Sequence, residues 1–408
     1  MASENETDVV IAGGGHVGLS LALALRAAMP SLGVTLVDAA PPEAAARDTR
    51  ASAIAAAGRR MLMRLGVWSE IAPDAQPINE MVITDSRTGD AVRPVFLTFD
   101  GKVEDGQPFA HMVTNASMIG ALRRGAEAAG VAMLAPETVR DFTVGASGIS
   151  VELGSGDAIR ARLLVAADGV RSRLRSLAGI STVGWNYGQS GIVVTVAHER
   201  PHGGRAVEHF LPAGPFAMLP LPDNRSSLVW TERTETAERL VGGDADVFQY
   251  ELERRFGHQL GAIQPLGKPR AFPLGLTLAR SFVKPRLALC GDAAHGIHPI
   301  AGQGLNLGFR DVAALAETIV EAERLGLDIG SLAVLERYQS WRRFDTVEMG
   351  ATTDILNRLF SNDNPLLRLG RDVGLGLVDR LPALKKMFIG QAAGTGGDLP
   401  RLLRGEAI

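Results

Sequence analysis

The stretch DVVIAGGGHVGLSLALALRAAMPSLGVTLVD, Asp8 to Asp38, decides the fold. Val9 to Ile11 is a β-branched run that leads into Gly13-x-Gly15-x-x-Gly18. An apolar helix is expected from His16 to about Met29, and a second strand from Val34 to Val37 that ends at Asp38. Strand, glycine turn, helix, strand and then an acid about 20 residues beyond the last glycine is the order of a dinucleotide-binding βαβ unit. Each glycine has a physical task. Gly13 permits the tight turn, Gly15 lets the backbone approach a pyrophosphate, and Gly18 lets the helix lie close to the strand. The unpaired amides at the helix start would receive the phosphates, and Asp38 would accept a hydrogen bond from a ribose hydroxyl. The motif by itself leaves FAD and a nicotinamide nucleotide both open. No second fingerprint follows: GLGLVDR at Gly374 and GTGGD at Gly394 lack a preceding strand and a third glycine.

The rest of the chain sets the bounds. At 408 residues, two or more domains are expected. A formal net charge of -3, with 46% hydrophobic and 21% charged residues, argues against a nucleic-acid binder, which needs a basic excess. Cys290 is the single cysteine, so neither a disulfide framework nor a thiolate zinc cluster is expected within one chain. The acidic MASENETD start has the features of neither a secretion nor an organelle-import signal. The uncharged run Val9 to Leu25 falls short of the roughly 20 apolar residues of a membrane span. His198, His202 and His209 read as part of an exposed turn and strand with no second carboxylate nearby, so no metal site is expected.

Two further motifs repeat the strand-then-acid pattern. Leu163 to Ala167 runs into ADGVRSRLR, where Asp168 and Gly169 make a turn and Ser172 can cap a helix. Leu287 to Cys290 is another short strand, and it opens GDAAHGIHPIAGQGLNLG, Gly291 to Gly308. There Asp292 sits at a strand's carboxyl end, where ligands of open α/β sheets bind. A helix is expected from Leu305 to Leu325, with Gly302-Gln303-Gly304 before it and Pro299 stiffening the approach.

Together these three motifs resemble the class A flavoprotein aromatic hydroxylases. Five further segments are similar to the ubiquinone-biosynthesis FAD-dependent hydroxylase branch. They are RDTRASAIAAAGRRMLMRLGVW from Arg47, the run from Tyr187 to Trp230, PIAGQGLNLGFRDV from Pro299, YQSWRRFD from Tyr338, and the run from Asp354 to Lys386. The resemblance implies FAD as cofactor, with NAD(P)H as a transient co-substrate. It implies hydroxylation of the ring of a polyprenylated phenol by dioxygen, through a flavin C4a-hydroperoxide. It gives cofactor contacts to Gly13, Gly15, Gly18, Asp38, Arg50, Asp168, Gly169, Gly291, Asp292, Gly304, Leu305 and Asn306. The loop of Pro299, Gly302, Gln303 and Gly304 would lie against the isoalloxazine ring, where the helix-start amides would stabilise a reduced, anionic flavin by about 0.3–1 kcal/mol when exposed. Asp38 stands where the wider class has Glu, and Ala116 and Ser117 stand where many relatives carry a cofactor-binding Arg.

The expected architecture is α/β: an FAD-binding, Rossmann-like domain of the glutathione-reductase type, an inserted mixed β-sheet substrate domain, and a helical C-terminus. The FAD domain is expected from 1–75, 110–180 and 275–330, the substrate domain from 76–109 and 181–274, and the helical region from 331–408. Helices are expected at Ser52–Leu65 and Ala116–Ala129, and strands at Ile192–Ala197, Ala206–Leu211, Phe216–Leu219 and Ser227–Trp230. Glu208, Phe210, Pro220 and Leu221 are the candidates for the substrate pocket; His209 should point the other way along its strand. Leu366 to Gly390 mixes leucines with five basic residues, a pattern open to peripheral membrane contact on a cytoplasmic face or to packing on the FAD domain. Accessory proteins of ubiquinone synthesis are possible partners, and hydroxylation of a soluble aromatic compound or a flavin-bound assembly role are the competing readings.

Overall fold

A computed structural model describes residues 5–85, 95–100, 106–298, 302–361, 390 and 393–408. Pro299 and nearly all of the basic Leu366–Gly390 segment lie outside the described residues.

The opening stretch folds as its pattern dictates. Val9–Ala12 and Val34–Val37 are parallel strands, every residue of both buried, joined through the helix His16–Ala28. Continuous apolar runs of this kind belong to strands covered on both faces. They sit inside a six-stranded sheet in the order Val283–Lys284, Leu287–Leu289, Leu163–Ala166, Val9–Ala12, Val34–Val37, Ala132–Leu134. All neighbours are parallel except the hairpin that joins the first two. Leu289, Ala166, Ala12 and Val37 are aligned across it, so four strands end in one row. The helices His16–Ala28, Asn115–Ala128 and Gln303–Arg324 share the main core with this sheet.

A second, eight-stranded sheet lies beside the first. Its order is His295–Gly296, Ile263–Ala279, Thr182–His198, Arg225–Arg233, Gly214–Leu221, Arg205–Leu211, Glu80–Asp85, Val95–Asp100. The two longest strands, Thr182–His198 and Ile263–Ala279, are antiparallel partners of 17 residues each. At one end Thr277 and Leu278 pair with Gly296 and His295, which follow closely on the Leu287–Leu289 strand of the first sheet. The sheet's other face packs Phe216, Trp230 and Leu228 against the helices Thr234–Gly242 and Ala245–Phe256.

One expectation fails here. Residues 51–55, ASAIA, form a strand paired with Ala110–Thr114, and the helix begins only at Ala56 and ends at Arg64. Alanine favours helix locally, but propensity is a weak prior that tertiary pairing overrides. Here Ser52 Oγ meets Asn115 Oδ1 at 2.9 Å, and the Ala55 amide donates to Asn306 Oδ1 at 2.9 Å. The long helix Leu332–Phe360 packs along Gln303–Arg324, and a β-meander at 139–161 forms a four-stranded sheet with Asn5–Glu6. Among the described residues no helix is long and apolar enough to cross a membrane.

Candidate active site

The row of strand ends places four motif residues along one edge. Gly13, Asp38, Asp168 and Asp292 each follow one of four adjacent parallel strands, close behind its last residue. Three interstrand steps span about 14 Å, the scale of an extended dinucleotide. Beside this edge lies a cavity of about 1290 Å³, lined by Asp292 together with Gly15, His16, Ala167 and Gly169. That exceeds the roughly 300–1,000 Å³ of a site for one drug-sized ligand, so it has room for a cofactor and a substrate together.

The glycines show why only glycine serves. Gly13 has φ +114°, and a Cβ there would lie 2.2 Å from the Ala167 carbonyl oxygen. A Cβ at Gly18 would lie 1.9 Å from the Gly13 carbonyl oxygen, so this position is set by helix-to-strand packing. Gly15 differs: a Cβ there would meet nothing within 4 Å and would project into the cavity it lines. The same holds for Gly304. These two positions are bare where a ligand must approach, whereas Gly13 and Gly18 are bare because protein is already there.

Polar groups along this edge are left without protein partners. Asp168 Oδ2 accepts from the Leu174 amide at 3.2 Å, while its Oδ1 is buried with no partner. Ser172 Oγ caps the helix that follows by accepting from the Arg175 amide at 3.0 Å. His16, the first residue of its helix, has an unpartnered buried Nε2, and burial lowers its pKa to about 4, which keeps the ring neutral. Asp292 faces the cavity; the crowding around it raises its carboxyl above the usual range, and Asp311 adds to the rise while His295 opposes it. At the other end Asp38 lies against Gly14 and 3.9 Å from Arg123 Nη2. Arg50 is held by Asp48 at 2.7 Å and lies over the Phe272 ring at 5.6 Å. Asn115 Nδ2 also donates to Asp48 at 3.0 Å, and these bonds bring Asp48 down to about 2 against the opposing effect of its burial.

Buried neutral and acidic groups that lack partners, bare glycine backbone and two helix N-termini fit a large anionic dinucleotide such as FAD. Gly13, Gly15, Asp38, Asp168 and Asp292 are the residues that would hold it. Gly169, at φ +83°, sits in the turn beside Asp168.

The Gly291–Gly308 segment contains a device that spacing did not reveal. His295 and Asp311 are fully buried, and Asp311 Oδ2 accepts from His295 Nε2 at 2.5 Å and from the Gly291 amide at 3.0 Å. Asp311 Oδ1 accepts from Arg342 Nε at 2.8 Å, and Arg342 Nη1 reaches Asp345 at 2.7 Å. Desolvation pushes the Asp311 carboxyl up, but His295 and Arg342 outweigh it and hold it below its ordinary value. This chain ties the loop that carries Asp292 to two helices. Asn306 acts in the same way: its Nδ2 donates to Ala53 O at 2.9 Å and to Gly302 O at 3.2 Å, and its Oδ1 takes the Ala55 amide. Gly302 adopts φ +62° at the cap of the Gln303–Arg324 helix. Gln303, Gly304, Leu305 and Asn306 all line the cavity.

Of the four pocket candidates, Glu208 lines the cavity and the other three do not. Phe210 is buried, Leu221 packs in a separate cluster with Ile78 and Phe109, and Pro220 pairs with Ser226 at the strand's end. The lining positions of that strand are Pro215, Ala217 and Leu219, the opposite alternation from Pro220. His209 points away from the cavity side as expected, with Nδ1 2.5 Å from Thr84 Oγ1. The exposed reading of the histidines is corrected: His198 and His209 are buried. His198 is bonded to Arg200 O at 2.7 Å, and His202 to Leu221 O at 2.8 Å.

Comparison with known proteins adds the following. The chain matches the FAD binding domain family over residues 6–344. It is 47% identical to the ubiquinone hydroxylase UbiL of Rhodospirillum rubrum, over 100% of this chain and 95% of that one. It is 36% identical to the 3-demethoxyubiquinol 3-hydroxylase of Escherichia coli, covering 95% and 98% of the two chains. Among solved structures, p-nitrophenol 4-monooxygenase PnpA from Pseudomonas putida DLL-E4 superposes with a TM-score of 0.81 at 19% identity, over 97% of this chain and 100% of that one, a likeness of fold.

Proposed function

Because the chain belongs to the FAD-binding-domain family, and within it to the ubiquinone-biosynthesis hydroxylases, we propose that it hydroxylates the aromatic ring of a polyprenylated phenol on the way to ubiquinone. The enzyme is an FAD-dependent monooxygenase that uses NAD(P)H and dioxygen. One observation carries the reading: a single cavity is lined both by Gly15, Gly169, Asp292 and Gly304 of the motifs and by Ala217, Leu219 and Val229 of the second sheet.

When bound, FAD supplies the redox chemistry, taking electrons from NAD(P)H and activating dioxygen. The remaining work belongs to this chain. Gly13 and Gly15 with the His16 helix start bind the phosphates, Asp38 the ribose, and Asp168 and Asp292 hydroxyl-bearing parts of the cofactor; Arg50 contributes charge. Gly302, Gln303 and Gly304 would receive the flavin ring at the helix start, where the positive end of the helix dipole favours developing negative charge. Pro299 is assigned to the same loop. Ala217, Val229 and Leu219 on the sheet face exclude water from the reacting centre. The substrate's polyprenyl tail gains about 0.8 kcal/mol for each CH₂ removed from water, which favours delivery from a lipid surface or by accessory proteins. Peripheral placement on the cytoplasmic side of a membrane is part of this proposal. So is the division into an FAD-binding unit (1–75, 110–180, 275–330), a substrate unit (76–109, 181–274) and a helical region (331–408).

Deletion of the gene followed by analysis of the quinone pool tests the assignment. Accumulation of a prenylated precursor lacking one ring hydroxyl is expected, with complementation by the wild type and not by Asp292→Ala. An unchanged quinone pool would overturn the pathway.

A further inference from the structure

The cavity is also lined by the face on which the strands Arg205–Leu211, Gly214–Leu221 and Arg225–Arg233 lie side by side. Register puts Glu208, Ala217 and Val229 in one row across it. On the outer side Glu208 pairs with Ile83. The side chains beside this carboxyl are therefore apolar on both flanking strands. Glu208 is 4% exposed, lines the cavity, and makes no ion pair or side-chain hydrogen bond among the described residues. Glu80, at the start of the flanking strand, is occupied by Arg205 at 2.5 Å, and His209 is turned away toward Thr84. The other titratable and charged groups that share the cavity are His16, Arg50, Arg171, Cys290, Asp292 and His298. None of them perturbs Glu208; burial alone raises its carboxyl to about 7. Thr231, which also lines the cavity, has a buried Oγ1 without a partner.

A buried acid held for structural reasons has its lone pairs satisfied by protein. An acid left bare on an apolar wall that faces a ligand cavity is placed for a donor that arrives with the ligand. We propose that Glu208 is the acceptor for the hydroxyl proton of the phenol during ring hydroxylation, an assignment that rests on the function proposed above. The phenol O–H bond breaks, its proton passes to a Glu208 carboxylate oxygen, and its electron pair enters the ring. The ring carbon then forms its bond to one oxygen atom of dioxygen as the O–O bond breaks, and the other oxygen atom leaves as water, with NAD(P)H supplying the two electrons. Loss of the ring C–H proton to water restores aromaticity, and Glu208 returns its proton to the phenolic oxygen. At neutral pH a carboxyl of this kind is divided between its two forms, the condition under which general-base transfer is most effective.

The test uses the FAD-loaded full chain and 2-prenylphenol, with Glu208→Gln and Glu208→Asp. Wild-type kcat/KM should rise with pH through an apparent pKa near 7. Glu208→Gln should keep its full flavin content, lose this limb and fall by about 10²–10⁴-fold, the usual contribution of a positioned base, while Glu208→Asp restores part of the rate with the limb. Binding of 2-prenylphenol, read by quenching of flavin fluorescence, should weaken as pH falls through 7 in the wild type and be flat in Glu208→Gln. A Glu208→Gln enzyme with wild-type rate and unchanged limbs in both readouts would overturn the proposal. Flavin loss in proportion to the lost rate would also overturn it, since Glu208 would then be scaffold. Wild-type binding with the expected pH dependence but no hydroxylation would overturn the hydroxylase reading and leave the proton-accepting site intact.

Discussion

Replacing Asp311 by Ala should damage both the stability of the protein and its hold on FAD. Asp311 is 0% exposed and Arg342 is 1% exposed, 2.8 Å apart. Removing one partner of a buried ion pair costs about 3–5 kcal/mol, because the remaining charge is left in a poorly solvating interior. Asp345 still holds Arg342 Nη1 at 2.7 Å, which places this contribution near the low end. The Gly291 amide and His295 Nε2 lose their acceptor as well, and each buried donor left bare costs about 1–3 kcal/mol, not additively with the first. A total of about 3–5 kcal/mol follows, a large part of the roughly 5–15 kcal/mol that holds a domain folded. Because the Gly291 amide positions the loop that carries Asp292, the FAD dissociation constant should rise at the same time. Asp311→Asn keeps an acceptor and should cost less on both counts. Urea unfolding of the FAD-free and FAD-loaded forms, with fluorescence titration of FAD, measures both effects. A loss under about 1 kcal/mol for Asp311→Ala, with FAD affinity unchanged, would refute the reasoning.

Other substitutions separate folding from cofactor binding. Gly15→Ala should fold with near wild-type stability, since its Cβ meets no protein atom within 4 Å, yet bind FAD far more weakly; retention of flavin through purification would contradict this. Gly13→Ala should destabilise even the FAD-free protein, because the new Cβ would lie 2.2 Å from a carbonyl oxygen at φ +114°; equal urea midpoints for the two alanine variants would sink the distinction. Asn306→Ala should loosen the start of the Gln303–Arg324 helix from the Ala51–Ala55 strand, seen as faster amide exchange at Ala55, which loses its acceptor. In acid, Asp48 has its pKa depressed from 3.8 to about 2, so its stabilising effect is complete above about pH 4 and is lost as pH falls from there through 2. The urea midpoint should drop across that window, less steeply in Asp48→Asn, and an identical slope in both proteins would show that Asp48 contributes nothing.

The sequence was legible where the determinants are local. The Asp8–Asp38 unit carries its strand, glycine turn and helix within 31 residues, with Gly18 packed on Gly13 of the same turn, and the alternation of Glu208 and His209 follows from strand geometry. It was illegible where distant pairing decides. The Ala51–Ala55 strand exists because Ala110–Thr114 lies beside it, and an alanine-rich run gives no local sign of that. Only the second half of Thr182–His198 reads as a strand. Its glycine-containing first half is held by Ile263–Ala279 and by the Trp185 Nε1 to Asp354 bond of 3.0 Å. The His295–Asp311–Arg342 chain joins residues 16 and 31 positions apart, a spacing that matches no motif. Pro220 and Leu221 fall outside the cavity lining, which takes the alternation of Ala217 and Leu219 and ends before the strand does.

The purified, FAD-loaded protein is given NAD(P)H and 2-prenylphenol under ¹⁸O-labelled dioxygen, and the product is weighed by mass spectrometry. A ring-hydroxylated product that carries one labelled oxygen atom, formed in step with NAD(P)H oxidation and absent from Asp292→Ala, is the result expected. Hydroxylated product with unlabelled oxygen, or protein that stays colourless and refuses FAD, would contradict it.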